Sequence, residues 1–213
     1  MRVKDRNLTP APLLPQPVAS IAGLVLMGGR ATRMGGGDKA LLMLGDKPIL
    51  AYALARFGPQ VGPLALSANG DPARLEAFAL PVLPDLPDGP EGPLGGVWTA
   101  LAWAASLPGV THLATIPGDA PSPPGDLVVR LARAAGGDAA IAASARGVEP
   151  LHALWPVASR GLLERLIADG VHSPKRALEL VGATTVAFDE PDAFLDVDTP
   201  NDLARVKKLH GMA

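Results

Sequence analysis

Apolar residues in this chain come in short blocks, broken repeatedly by clusters of Gly, Pro, Asp and Asn. Two kinds of block alternate. Compact apolar runs at residues 21–27 (IAGLVLM), 61–68, 80–84, 110–116, 138–144, 150–155 and 184–188 predict strands, because they are short and bounded by turn residues. Longer mixed segments at 48–57, 72–79, 97–106, 124–135, 156–168, 173–181 and 200–209 predict helices. Residues 39–44 fit either a short strand or a turn of helix, and Gly45–Pro48 reads as a turn with Pro48 opening the next helix. The strand runs are apolar throughout rather than alternating, as expected of a sheet covered on both faces. Strand and helix alternate almost to the end. The pattern predicts an α/β fold: a three-layer αβα, Rossmann-like arrangement around a mostly parallel sheet.

Sheets of this type bind ligands at the carboxyl ends of their strands. The chain's conspicuous polar groups fall there: a glycine-rich loop after the first strand, Asn69 after the second, Asp85 after the third and Asp119 after the 110–116 strand. The loop, Gly28 to Asp38, carries Arg30 and Arg33 and closes on Lys39. Glycines let main-chain N–H groups approach an anion, and cations beside them favour phosphate. The loop is therefore a candidate phosphate cradle. It is not a P-loop, since no Ser or Thr follows the lysine, and no G-x-G-x-x-G or G-x-S-x-G pattern is present.

Asp119 lies in Pro117-Gly118-Asp119-Ala120-Pro121, where a carboxylate at a strand end suits magnesium shared with substrate phosphates; its plainer role is to begin a turn before Pro121. Asp196 and Asp198 alternate along an extended stretch and so share a face, which suits the same ion. Alternatively, Asp198 joins Thr199 in capping the last helix. Gly92, Gly95 and Gly96 precede the 97–106 helix, either as turn residues or to open its N-terminus to an anion. Trp98 and Trp103 mark that helix as part of the core.

Composition narrows the chemistry. The 213 residues carry a net charge of −2, which argues against a nucleic-acid footprint. Cysteine is absent, which removes disulfides, thiolate zinc sites and thiol nucleophiles. The four histidines are scattered without metal-ligand spacing. No run approaches the roughly 18 apolar residues of a membrane span. Four prolines within residues 9–17 interrupt any signal-like core, so residues 1–19 read as an extended lead-in and 20–213 as one domain, with a cytoplasmic location.

Taken together, these residues resemble a known family. The stretch LMGGRATRMGGGDKALLMLGDKPIL is similar to the signature of molybdenum cofactor guanylyltransferases. Further similar blocks follow in the family's order: SAN at 67–69, Asp85 to the glycines ending at Gly96, PGDAPSPPGDL at 117–127, EPLHALWPV at 149–157 and DVDTPNDL at 196–203. The resemblance spans residues 20–209 and implies the nucleotide-diphospho-sugar-transferase type of fold.

It also implies an activity: transfer of GMP from GTP to the terminal phosphate of molybdopterin, with Mg2+ as cofactor and pyrophosphate as by-product. By the same resemblance, Leu26, Met27, Gly28 and Gly29 contact the guanine nucleotide through the main chain, and Lys39 binds its phosphates. Asn69 and Asp85 hold the nucleoside. Asp119 binds nucleotide and magnesium, and Arg33 joins Lys39 in offsetting phosphate charge. Two departures stand out: Met27 replaces a usual alanine, and Asp196 and Asp198 stand where some members carry Asn. Molybdoenzymes or cofactor-delivery proteins are the implied protein partners. The alternatives are a cytidylyltransferase for the same cofactor, a sugar-1-phosphate nucleotidyltransferase, and a non-catalytic module that binds nucleotide or cofactor.

Overall fold

The computed structural model describes residues 18–28, 38–87, 89–90, 92–190 and 192–212. Strand β1 (Ile21–Leu26) leads to a small hairpin, β2 (Met43–Leu44) and β3 (Lys47–Pro48), and to helix α1 (Ile49–Phe57). Next come β4 (Leu64–Ser67), β5 (Val82–Leu83), α2 (Pro93–Ala105), β6 (His112–Pro117) and α3 (Leu127–Ala135). The chain then runs through β7 (Ala140–Ser144), β8 (Gly147–Pro156), α4 (Arg160–Ala168), α5 (Pro174–Val181), β9 (Thr184–Ala187) and α6 (Pro200–Leu209). Among the described residues, seven strands form one sheet in the order β5-β4-β1-β6-β8-β7-β9.

The sheet is parallel except at β8, which runs antiparallel to both β6 and β7. Only Ala145 and Arg146 separate β7 from β8, and a connection that short can return the chain only antiparallel. Side chains of β1 divide between two cores, as the two-residue period of a strand requires. Ile21 and Val25 pack with Leu50 and Phe57 of α1 and Leu131 of α3. Ala22, Leu24 and Leu26 pack with Val97 and Leu101 of α2, Leu163 of α4 and Leu178 of α5. This is the three-layer αβα sandwich that the apolar strand runs predict.

Register brings the strand ends level. Leu26 pairs with Ser67 on one side and Pro117 on the other, and Ser67 pairs with Leu83. The residues after β1, β4, β5 and β6 therefore leave the sheet along one edge.

Several boundaries differ from the sequence reading. Helix α2 starts at Pro93, four residues early, so Gly95 and Gly96 lie inside its first turn. A Cβ on Gly96 would collide with the Ser67 hydroxyl, so the helix can sit this close to β4 only with glycine there. Pro48 is the N-cap of α1 rather than its first helical residue. Residues 72–78 form a 3-10 helix, and α4 follows a separate 3-10 turn at 157–159. Helix α3 begins at Leu127, with the Val128 N–H donating to the buried Gln60 side chain. Val18, inside the expected lead-in, already bridges to Val61, so the fold begins by that residue. Residues 1–17 of the lead-in lie outside the described residues.

Candidate active site at the strand ends

A cavity of about 430 Å³ opens where the strands end, within the usual range for small-ligand sites. Leu26, Met27 and Gly28 form its floor, and Ser67, Ala68 and Asn69 one wall. The start of α2 contributes Gly92 and Pro93, and β8 contributes Leu151. Met27 meets the cavity beside a strand ladder, its N–H donating to the Ser67 carbonyl at 2.9 Å. Its side chain packs into the α1–α3 core, so a bulkier residue than alanine at this position is absorbed inside the fold.

At one end of the cavity Asn69 and Asp85 grip each other. Asn69 Nδ2 donates to Asp85 Oδ2 at 2.7 Å, and the Asp85 main-chain N–H donates to Asn69 Oδ1 at 2.8 Å. The pair fixes both side chains and presents donor and acceptor groups to a ligand.

The opposite side concentrates charge. Asp119, Asp196 and Asp198 all line the cavity, and the Lys39 ammonium forms an ion pair with Asp198. The Val197 N–H donates to the Asp119 carbonyl at 3.0 Å, which brings the two acidic segments together. Burial pushes the Asp119 carboxyl up to about 6, against the opposing pull of a backbone hydrogen bond and of Lys39. Burial, helped by the charges of Asp119, Asp198 and Glu149, pushes Asp196 up to about 7. The Asp198 carboxylate, above all by hydrogen bonding, raises the Lys39 ammonium above its ordinary value.

Among the described residues, the three carboxylates of this side meet the Lys39 ammonium at Asp198 and the Arg146 charge at Asp196. One oxygen of Asp196 is buried without a hydrogen-bond partner among the described residues. Hard oxygen donors with an orphaned buried oxygen fit a small divalent cation. Among the described residues, no group of three or more acidic or imidazole side chains is arranged to hold a metal alone. Substrate oxygens would have to complete its shell, which is the usual situation for magnesium.

Of the residues singled out in the sequence, Leu26, Met27, Gly28, Asn69, Asp85, Asp119, Asp196 and Asp198 line this one cavity. Lys39 stands beside it through Asp198. Gly29, Arg30 and Arg33 lie outside the described residues. The helix cap belongs to Thr199 and Asp202, which form a capping box, and this leaves the Asp198 side chain to Lys39. Ser67 and Leu151 also line the cavity without having been singled out as single residues; their place within the SAN and EPLHALWPV blocks was the available signal. Arg74 was missed as well. It sits in the mixed segment PARLEAF, five residues from Asn69, and only the fold brings it to Asp38.

The MobA-like NTP transferase domain matches residues 23–184. A molybdenum cofactor guanylyltransferase of Cereibacter sphaeroides is 45% identical over 187 residues, covering 88% of this chain and 95% of that one. The chain belongs to the molybdenum cofactor guanylyltransferase family. A second member, from Mesorhizobium japonicum, is 44% identical over 200 residues, covering 89% of this chain and 95% of its own. Solved structures extend the likeness of fold beyond the family. Molybdopterin-guanine dinucleotide biosynthesis protein A from Archaeoglobus fulgidus superposes with a TM-score of 0.69 at 22% identity, covering 90% of this chain and all of that one. The 4-diphosphocytidyl-2C-methyl-D-erythritol synthase of Anaerococcus prevotii gives 0.68 at 12% identity, covering 91% and 96%. The fold is thus shared by a protein named outside the guanylyltransferase family.

Proposed function

We propose that this protein transfers GMP from GTP to the terminal phosphate of molybdopterin, yielding the guanine dinucleotide cofactor and pyrophosphate. One observation carries the reading for this chain. A single cavity joins the Asn69–Asp85 polar pair to a charged side made of Lys39, Asp119, Asp196 and Asp198. A nucleoside at the first and its phosphates at the second would span it.

In this reaction a terminal phosphate oxygen of molybdopterin bonds to the α-phosphorus of GTP. The bond from that phosphorus to the β-phosphate oxygen breaks, and pyrophosphate leaves with the electron pair. The nucleophile is already an anion, so no Ser, Cys or His base is needed; the work is positioning and charge neutralisation. The main chain of Leu26, Met27, Gly28 and Gly29 and the Asn69–Asp85 pair bind and orient the nucleoside. Lys39, with Arg33, offsets charge on the phosphates. Asp119 would hold Mg2+, with Asp196 and Asp198 as further ligands, and the bound ion would draw charge from the phosphate oxygens. A cytoplasmic location, where GTP is available, goes with this reading, as do molybdoenzymes or delivery proteins as recipients of the product.

The test is pyrophosphate release with each NTP in the presence of Mg2+ and molybdopterin. Turnover with GTP is expected. Release with CTP but not GTP would replace this reading with cytidylyl transfer. Nucleotide binding without turnover would replace it with a binding module.

A further inference from the structure

Arg74 does not line the cavity, yet its guanidinium touches three separate acceptors. Nε donates to the Asp38 carboxylate at 2.7 Å, Nη2 donates to the Asn69 carbonyl at 2.8 Å, and Nη1 donates to the Asp71 carbonyl. Asp38 immediately precedes Lys39, at the foot of the glycine-rich loop. Asn69 lies two residues past the end of β4 and holds Asp85. One planar cation therefore links the foot of the phosphate-side loop to the nucleoside-side pair, in the sequence Asp38–Arg74–Asn69–Asp85.

The local backbone is shaped for this contact. Asn69-Gly70-Asp71-Pro72 turns through Gly70 at φ +82°, a conformation that favours glycine. Asp71 accepts from the Ala73 N–H at 2.9 Å and starts the 3-10 helix that carries Arg74. An isolated ion pair with both side chains partly exposed contributes little. A guanidinium that holds two segments in three directions is different, because its rigid donor fork fixes the distance between them.

We infer that Arg74 is a positioning residue for the nucleotide, setting the spacing between Lys39 and the Asn69–Asp85 pair without touching substrate. This rests on the guanylyl-transfer reading for the identity of the nucleotide. Losing Arg74 should weaken ground-state binding of GTP and leave the bond-making step nearly intact, because Lys39, Asp119 and Asp196 remain.

The experiment compares wild type with Arg74→Gln, Arg74→Lys, Asp38→Asn and the Arg74→Gln/Asp38→Asn double variant. Steady-state kinetics are run in parallel with calorimetry of GTP binding and thermal melting. For Arg74→Gln, KM and Kd for GTP are expected to rise roughly tenfold, with kcat, the KM for molybdopterin and Tm nearly unchanged. Arg74→Lys keeps the charge but cannot span three acceptors, and should recover only part of the loss. The double variant should be no worse than Arg74→Gln, since both remove the same link. GTP affinity within twofold of wild type in Arg74→Gln overturns the inference. So does a loss shared equally by both substrates, or full rescue by lysine. Wild type that binds GTP but does not transfer GMP would defeat the proposed activity, while the calorimetric comparison would still decide the role of Arg74. Wild type that does not bind GTP defeats both.

Discussion

The Lys39 ammonium is held by the Asp198 carboxylate, a partner 159 positions away in sequence. If Lys39 binds the triphosphate, the nucleotide must compete with that carboxylate for it. Asp198→Asn is expected to tighten metal-free GTP binding. Asp198 is more than half exposed, so the gain should be modest, about three- to fivefold. Isothermal titration in EDTA checks this. Lys39→Ala should abolish transfer in the pyrophosphate assay.

Asp119→Ala should lower GMP transfer by at least about a hundredfold across all Mg2+ concentrations, as expected when the carboxylate that would hold the charge-offsetting ion is removed. The fold should survive, because the contact from Val197 uses the main-chain carbonyl of Asp119 rather than its side chain. Pyrophosphate release and circular dichroism of the same preparation separate the two effects.

Asp196 gives a pH dependence of unusual sign. Its folded carboxyl is pushed up to about 7 from an ordinary 3.8. Between those values the native state keeps a proton that the unfolded chain has released, so stability falls as pH rises through this window. Above pH 7 the penalty is complete; below about 3.8 it is absent. Asp196→Asn should therefore raise Tm by a few degrees at pH 8 and leave it unchanged near pH 3.5. Metal-free thermal melts at the two pH values test this.

His152 behaves in the opposite way. It is buried against Phe194, its Nε2 has no partner among the described residues, and burial pushes its imidazole down to about 3. Above pH 6.5 both states leave it neutral and its packing contributes fully. As pH falls from 6.5 towards 3, only the unfolded chain takes up the proton, and stability is lost. His152→Leu should flatten this acid limb, measured as the urea midpoint at pH 7.5 against pH 5.

Gly96→Ala should destabilise the protein by about 1–3 kcal/mol, because the added methyl meets the Ser67 hydroxyl. Adding Ser67→Ala removes the obstructing oxygen and should restore part of the loss in urea denaturation.

Much of this site was legible because strand ends announce themselves. Leu26, Asn69, Asp85 and Asp119 each follow an apolar run, and a parallel sheet carries all such ends to one edge. The alternation of Asp196 and Asp198 likewise foretold a shared cavity wall. What could not be read depends on contacts between distant segments. Nothing local distinguishes Arg74 from any surface arginine until the fold sets Asp38 beside it. The start of α3 is completed by Gln60, 68 positions before Val128, so its first residue is not set by neighbours in sequence. Gly95 and Gly96 read as breakers because glycine propensity is a local quantity. Their place inside α2 is decided by how closely that helix approaches β4, where tertiary packing overrides propensity.

The link between the Val197 N–H and the Asp119 carbonyl also has a consequence for synthesis on the ribosome. The cavity floor, at residues 26–28, is made early, but its last acidic wall emerges about 170 residues later. A nascent chain can pair β1, β4 and β6 and still have no complete site. The cavity is therefore complete only when the segment before α6 docks, and a chain cut short of that segment would lack its last acidic wall.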